Sequence, residues 1–326
     1  MTSKPLLRVE DLTLSVGDTN YVTKILTGVN LTINYGEIHG LVGESGSGKS
    51  ITARSLLSSF PKHAIVGGHV FFEDADVLEM NKTDLENYRR TSAAMIFQDP
   101  WSSVDPLWKI EDYICAVLRQ MGVGKSQSYQ KAKDLLFQVE IKDPELILKQ
   151  YPWQLSGGML QRVVIAGALA GEPRLLIADE ATTALDVTIQ AEIVKLLRTL
   201  VETKKLSILF LTHDLALASE NCDRVSVMYA GRVVESQNGS GIFTNPKHPY
   251  TKGLLKSRPS IDERFEGGLF VLPGSPTNAD SAPAGCAFNP RCVYRDDSLG
   301  CNTRFPPNLT QDSISVACFR SSETLN

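Results

Sequence analysis

An α/β fold built on a parallel sheet is predicted by three features of the sequence. A glycine-rich turn, Gly43-Glu44-Ser45-Gly46-Ser47-Gly48-Lys49-Ser50, joins a strand pattern to a helical one. Two continuous apolar runs, Leu175-Leu176-Ile177-Ala178 and Ser207-Ile208-Leu209-Phe210-Leu211, fit strands buried on both faces. Between them Ile189 to Leu200 reads as a crossover helix, which completes a βαβ unit.

The remaining elements follow in order. Leu7, Val9, Leu12, Leu14 and Val16 set a strand over residues 6 to 16. Val29 to Ile33 and Ile38 to Val42 are two more, the second bounded by Gly36 and Gly43. After Lys49 the pattern is helical through Leu57, and Val70-Phe71-Phe72 is a short strand following a Gly67-Gly68 turn. Ser103 to Val139 reads as helical, with Ile114, Val117, Leu118, Leu135 and Leu136 in its core. Past Glu235, Gly, Pro and Ser become frequent, and a boundary is expected near residues 236 to 245.

With 326 residues the chain suggests about two domains, and 42% apolar content supports a sizeable core. A net charge of -4 argues against a general nucleic-acid binder, whose footprint would be basic. No run approaches the length of a membrane span, and the opening Met1 to Glu10 lacks the apolar core of a secretory signal. The expectation is a cytosolic chain whose membrane link comes through a partner. Of six cysteines, Cys286, Cys292, Cys301 and Cys318 crowd the end of the chain. In a reducing compartment that cluster points to a metal site before disulfides, while Cys115 and Cys222 read as small core residues.

Gly43 to Ser50 fits the P-loop pattern in the required strand-to-helix setting. Its glycines let successive N–H groups face phosphate oxygens, and the following helix adds its positive end. Lys49 would reach the β- and γ-phosphates and the Ser50 hydroxyl would ligate Mg²⁺. Further along come Phe97-Gln98-Asp99-Pro100, Leu155-Ser156-Gly157-Gly158-Met159, the carboxylates Asp179-Glu180 ending an apolar run, Ala184-Leu185-Asp186, and His213 closing a strand.

Six motifs in this order resemble the ATP-binding cassette (ABC) family over about residues 7 to 235. The resemblance implies a P-loop NTPase core, with a RecA-like parallel sheet, an antiparallel β subdomain and a helical subdomain at about 100–165. It implies an ATP-binding set of Tyr21, Gly43, Glu44, Ser45, Gly46, Ser47, Gly48, Lys49, Ser50, Ile51 and Gln98, with Tyr21 stacking on adenine. Asp179 would hold Mg²⁺ with Ser50 and Gln98. Glu180 would be the general base, and His213 would contact the γ-phosphate. Outside this context, an ion-paired strand-end carboxylate is the plainer reading of Glu180, and packing the plainer reading of His213 and Tyr21. Ser156, Gly157, Gly158 and Met159 would meet ATP on a second ATPase subunit, with Asp186 in the D-loop between them. Ala181 departs from the proline usual after the glutamate, and Leu160 from an arginine frequent in peptide importers; neither removes a phosphate contact.

Asn245-Pro246-Lys247-His248-Pro249-Tyr250 and Gly285-Cys286-Ala287-Phe288-Asn289-Pro290-Arg291-Cys292 resemble the C-terminal extension of oligopeptide and dipeptide importer ATPases. The chain then divides into a nucleotide-binding domain at 1–238 and a loop-rich extension at 239–326. The four late cysteines lack the paired knuckles of structural zinc, and in the family they imply a [4Fe–4S] cluster, with zinc or unligated thiols as alternatives. The implied partners are two permease subunits, a second ATPase chain and an extracytoplasmic substrate-binding protein, with this chain at the cytoplasmic face of the inner membrane. The same engine also serves nickel, oligosaccharide and antimicrobial-peptide uptake, and a soluble ABC ATPase acting on ribosomes or DNA is the remaining alternative.

Overall fold

The computed structural model describes residues 4–18, 21–181, 186–257, 270–311 and 313–320. In chain order come β1 (Leu7–Gly17), β2 (Val22–Ile33), β3 (Ile38–Val42), α1 (Lys49–Ser55), β4 (Ala64–Phe72) and β5 (Ala75–Asp76). Then follow α2 (Lys82–Thr91), β6 (Ala93–Ile96), α3 (Ile110–Gln120), α4 (Lys125–Gln138), α5 (Pro144–Lys149), α6 (Gly157–Leu169), β7 (Leu175–Asp179), α7 (Val187–Lys204) and β8 (Ser207–Thr212). Last are α8 (Leu215–Asn221), β9 (Arg224–Tyr229), β10 (Arg232–Asn238), α9 (Gly239–Thr244), α10 (Pro249–Lys256), β11 (Asn308–Gln311) and β12 (Ile314–Ala317). The described residues fall in two compact units, one within Met1–Asn34, His39–Leu78 and Thr212–Asn326, the other within Tyr35–Ile38 and Glu79–Leu211.

The first unit carries an antiparallel sheet in the order β2-β1-β4-β5. Alternating burial along β1 puts Leu7, Val9, Leu12 and Leu14 into its core, as the period-two pattern requires. Gly67 and Gly68, expected to form a turn, lie inside β4 instead. They serve a bulge: β1 loses register between Glu10 and Thr13, Asp11 turns to φ 45°, and Gly68 opposite sits at φ +87°. A Cβ on Gly68 would come 2.4 Å from the Asp11 carbonyl oxygen, so the position excludes a side chain. In the same unit β3 runs parallel to β9, which continues antiparallel through β10 and β12 to β11.

The second unit holds β6, β7 and β8, paired parallel, with α7 as the crossover between the last two. Every residue of β7 and β8 is buried, which explains their unbroken apolar text. α7 begins at Val187 because Asp186 caps it, accepting the N–H groups of Thr188 and Ile189 at 3.1 and 3.0 Å. The expected helix from Ser103 to Val139 is two helices, α3 and α4. Gly122, at φ +84°, terminates the first in the left-handed conformation that glycine adopts without penalty.

β10 leads into the extension, and a buried carboxylate fastens the two. Glu235, 0% exposed, accepts the backbone N–H of Lys247 at 2.7 Å and of His248 at 2.9 Å. Burial pushes its pKa up, against the hydrogen bonds that favour the charged form. Burial also pulls His248 down to about 3, so its ring is neutral and Nδ1 accepts the Tyr250 N–H at the start of α10. Replacing Glu235 by Leu strands two buried N–H groups and is expected to cost about 2–4 kcal/mol. A urea midpoint at pH 7 unchanged from that of the native chain would show that the carboxylate is not the fastener.

Candidate functional site

The phosphate-loop residues occupy the turn from β3 to α1 in the first unit, and their glycines are needed for different reasons. Gly46 and Gly48 adopt φ +79° and +105°, conformations that other residues rarely reach. Gly43 is demanded by space, because a Cβ there would lie 2.3 Å from the Met228 carbonyl oxygen. Lys49 is buried at 5% exposure and donates to the carbonyls of Gly43 at 2.7 Å and Glu44 at 3.2 Å. α1 starts without a side-chain cap, its N-cap being Gly48, so no side chain competes with a ligand for its first N–H groups. Ser47 Oγ is buried without a hydrogen-bond partner, a donor available inside the loop.

Glu44 is held through both its backbone and its side chain. Its N–H donates to the Tyr250 hydroxyl at 3.0 Å, and its carboxylate takes both Nη groups of Arg291 at 2.7 and 3.1 Å. Sequence reasoning gave neither Tyr250 nor Arg291 a role at the loop, and a separation of 206 and 247 residues leaves no local signal to find them by. His213 stands exposed just past β8, where Asp214 turns the chain by accepting two N–H groups at the start of α8. Tyr21 is 69% exposed and precedes β2, so it is not a packed strand residue.

In the second unit Asp179 ends β7, 5% exposed, and Glu180 follows at φ 48°. That left-handed turn is unusual for a glutamate and takes the chain off the strand, while its N–H still bonds the Leu211 carbonyl at 3.2 Å. Gln98 Nε2 donates to Glu180 Oε2 at 3.0 Å, so two of the expected residues meet directly. Ala181 is buried at 2% and Leu160 at 0%, which suits small or apolar side chains at both departures. Ser156 caps α6 by accepting the Met159 N–H at 3.3 Å. Gly157 and Gly158 open that helix, and a Cβ on Gly158 would come 2.8 Å from Ile189 Cγ2. Met159 is 37% exposed. Of the D-loop, Asp186 is an exposed helix cap, whereas Ala184 and Leu185 lie outside the described residues.

Cys286, Cys292, Cys301 and Cys318 line one cavity together with His248, Phe288 and Arg320. Its volume is ≈ 20 Å³, space for about one water. Burial pushes the Cys286 thiol up to about 11 and raises Cys292 and Cys318 as well, so these thiols are neutral. Among the described residues no group of three or more His, Cys, Asp or Glu is arranged to hold a metal ion. The four cysteines expected to ligate an iron–sulfur centre thus border one cavity, but no ligand geometry for a metal is formed among the described residues. Cys115 and Cys222 are buried free thiols, as the sequence reading placed them.

A family model described as ABC transporter matches residues 26–183, and one described as oligopeptide/dipeptide transporter, C-terminal region, matches residues 234–301. The dipeptide transport ATP-binding protein of Escherichia coli is 40% identical, covering 96% of this chain and 96% of its own. The oligopeptide transport ATP-binding protein of Bacillus subtilis is 42% identical over 89% of this chain and 82% of its own. Among solved structures, an ATP-binding cassette dimer in a post-hydrolysis state, bound to ADP and Pi, superposes with a TM-score of 0.63 at 27% identity. It covers 71% of this chain and 98% of that one.

The packing of Gly43 generates a test of the loop. Gly43→Ala forces the loop away from Met228, and nucleotide affinity is expected to fall at least about tenfold with the far-UV spectrum unchanged. Unaltered affinity in a calorimetric titration would show that the loop geometry does not matter for binding.

Proposed function

The chain belongs to the ATP-binding cassette transporter ATPase family, and from that membership we propose that it is the ATP-hydrolysing subunit of an importer for di- and oligopeptides. One observation carries the cargo class: residues 234–301 match the oligopeptide/dipeptide transporter C-terminal region, whereas the cassette match alone fits any transporter of the family. We read residues 1–238 as the nucleotide-binding domain, with a helical subdomain at about 100–165, and 239–326 as the extension.

Each residue has a chemical task in this reading. Lys49 and the N–H groups of Gly46, Gly48, Lys49 and Ser50 neutralise and orient the β- and γ-phosphates, where pre-aimed donors gain most in a site closed to water. Glu180 is the general base that polarises the attacking water, and the bond from Gln98 fixes its carboxylate. His213 contacts the γ-phosphate, and Tyr21, exposed as an adenine platform must be, stacks on the base. Ser50, Gln98 and Asp179 are the oxygen donors assigned to Mg²⁺, which when bound shields phosphate charge. Ser156, Gly157, Gly158 and Met159 act on ATP held by a second ATPase subunit, here taken as a sister chain, and Asp186 belongs to the D-loop beside them. Their place at an exposed, capped helix start supports that role.

The permease pair is assigned to the surface that follows Gln98 in the chain. Trp101, Leu107 and Trp108 stand 47%, 82% and 46% exposed there, apolar area that a membrane partner would cover. No helix among the described residues is long and apolar enough to cross a membrane. In this reading the chain reaches the cytoplasmic face of the inner membrane through those permeases, as a subunit of the kind its relatives are, while an extracytoplasmic binding protein delivers the peptide. Cys286, Cys292, Cys301 and Cys318 are the ligands assigned to a [4Fe–4S] cluster, which supplies a clamp for the extension. Their convergence on one cavity supports the assignment, and the cavity must widen to admit the cluster.

Glu180→Gln is expected to keep ATP binding while turnover falls at least about 100-fold. Native turnover in that variant would remove Glu180 from the base role. Anaerobic purification from native membranes is expected to bring down two multi-span permeases and a second cassette subunit, with about four irons per chain. Ribosomal or DNA-repair proteins in their place would overturn the transport assignment, and iron-free protein would overturn the cluster.

A further inference from the structure

Glu44 is the second residue of the phosphate loop, and its side chain has no task in the phosphate chemistry described above. The fold nevertheless engages every polar group it has. Its N–H goes to Tyr250, its carbonyl accepts from Lys49 Nζ and from the Ser47 N–H at 3.2 Å each, and its carboxylate faces Arg291.

The Arg291 side chain is 3% exposed and fully committed: Nη1 and Nη2 hold Glu44, and Nε donates to the Pro273 carbonyl at 2.9 Å. Tyr250 is 0% exposed and wedged against Tyr229 and Phe288, with ring centroids 4.7 and 5.4 Å away, so its hydroxyl cannot drift. A two-pronged arginine–carboxylate pair fixes angle as well as distance. Removing Glu44 leaves the Arg291 charge withdrawn from water without that partner, whereas the Glu44 carboxylate, 24% exposed, keeps partial access to water when Arg291 is removed.

Arg291 sits in a single 3₁₀ turn, Asn289–Arg291, directly before Cys292 and closed by the Cys286 carbonyl, which accepts the Asn289 N–H at 2.9 Å. The cysteine-bearing segment and the first turn of the phosphate loop are therefore joined through one pair of side chains.

We propose that Arg291 is a positioning residue for ATP binding: through Glu44 it holds the start of the phosphate loop in its nucleotide-receiving shape. The segment carrying Cys286 and Cys292 thereby sets nucleotide affinity without touching nucleotide. This rests on Gly43–Ser50 being the phosphate cradle, so the native chain is titrated first, and failure to bind ATP there would sink that cradle reading itself.

The test uses the full chain, with ATP affinity from calorimetry, KM and kcat for hydrolysis, and the thermal midpoint of each variant. Arg291→Gln is expected to weaken ATP binding about tenfold and to raise KM by a similar factor, with kcat at saturating ATP within about twofold of native. Glu44→Gln should do the same, and the double variant should be no worse than either single one. Arg291→Lys should recover only part of the affinity, since a point charge does not reproduce the two-pronged geometry. A folded Arg291→Gln chain with native affinity and KM overturns the proposal, as do losses that simply add in the double variant. Should Arg291→Gln fail to fold, Glu44→Gln decides alone, because it substitutes no residue of the extension, and native affinity there is equally fatal.

Discussion

Burial on both faces of the strands governs where chemistry can sit in this chain. β3, β7 and β8 expose no residue along their lengths, so a charged side chain within them would have to leave water uncompensated. Polar groups are accordingly driven to the strand ends. β3 ends in the glycine loop and β7 in Asp179, while β8 is followed at once by His213. An Asp-Glu pair at the end of an apolar run is thus a consequence of the sheet's construction, whatever chemistry it is assigned. The left-handed turn at Glu180 then removes the second carboxylate from the strand axis.

Two of the charged groups that the first unit buries sit where separate segments are tied together. Glu235 gathers two backbone N–H groups from the start of the extension, and Arg291 reaches back to the phosphate loop. Such groups add little net stability against a well-packed apolar alternative, since desolvation offsets most of the attraction. What they add is directionality: a leucine at 235 could fill the space but could not specify which backbone segment lies against β10. The extension, with few apolar residues of its own, is located by hydrogen-bond geometry and by the Tyr229, Tyr250 and Phe288 cluster.

Much of this was legible in the sequence, because periodicity and loop chemistry are local. The strand–loop–helix around Lys49, the buried strands β7 and β8 and the crossover helix all stand where the text puts them. The misreadings were local as well. Gly67 and Gly68 carry a turn signature, yet the same residues suit a bulge, and only the partner strand decides between the two. The stretch from Ser103 to Val139 keeps its helical character on both sides of Gly122, and a sequence cannot say whether one glycine interrupts or merely weakens a helix. The candidate site residues could be named from their motifs, but their neighbours could not. That Gln98 bonds Glu180 across 82 residues, or that Arg291 bonds Glu44 across 247, is a property of topology.

The same topology changes how the phosphate loop should be understood. A P-loop is usually explained from within, by glycines that permit its turns and a lysine that fills it. Here the glycines satisfy only the backbone's needs at positions 43, 46 and 48, and residue 44, lacking any such constraint, is free to carry a side chain. Because its N–H is spent on Tyr250, that group is not among the donors left to face phosphate. A residue that cannot serve the ligand directly can still serve it by being held still. The extension supplies that hold from two directions at once, on the backbone and on the side chain. Loop shape in this chain is therefore a joint product of its own glycines and of residues that arrive late in synthesis, and the cassette and its tail are better regarded as one nucleotide-binding apparatus than as an engine with an appendage.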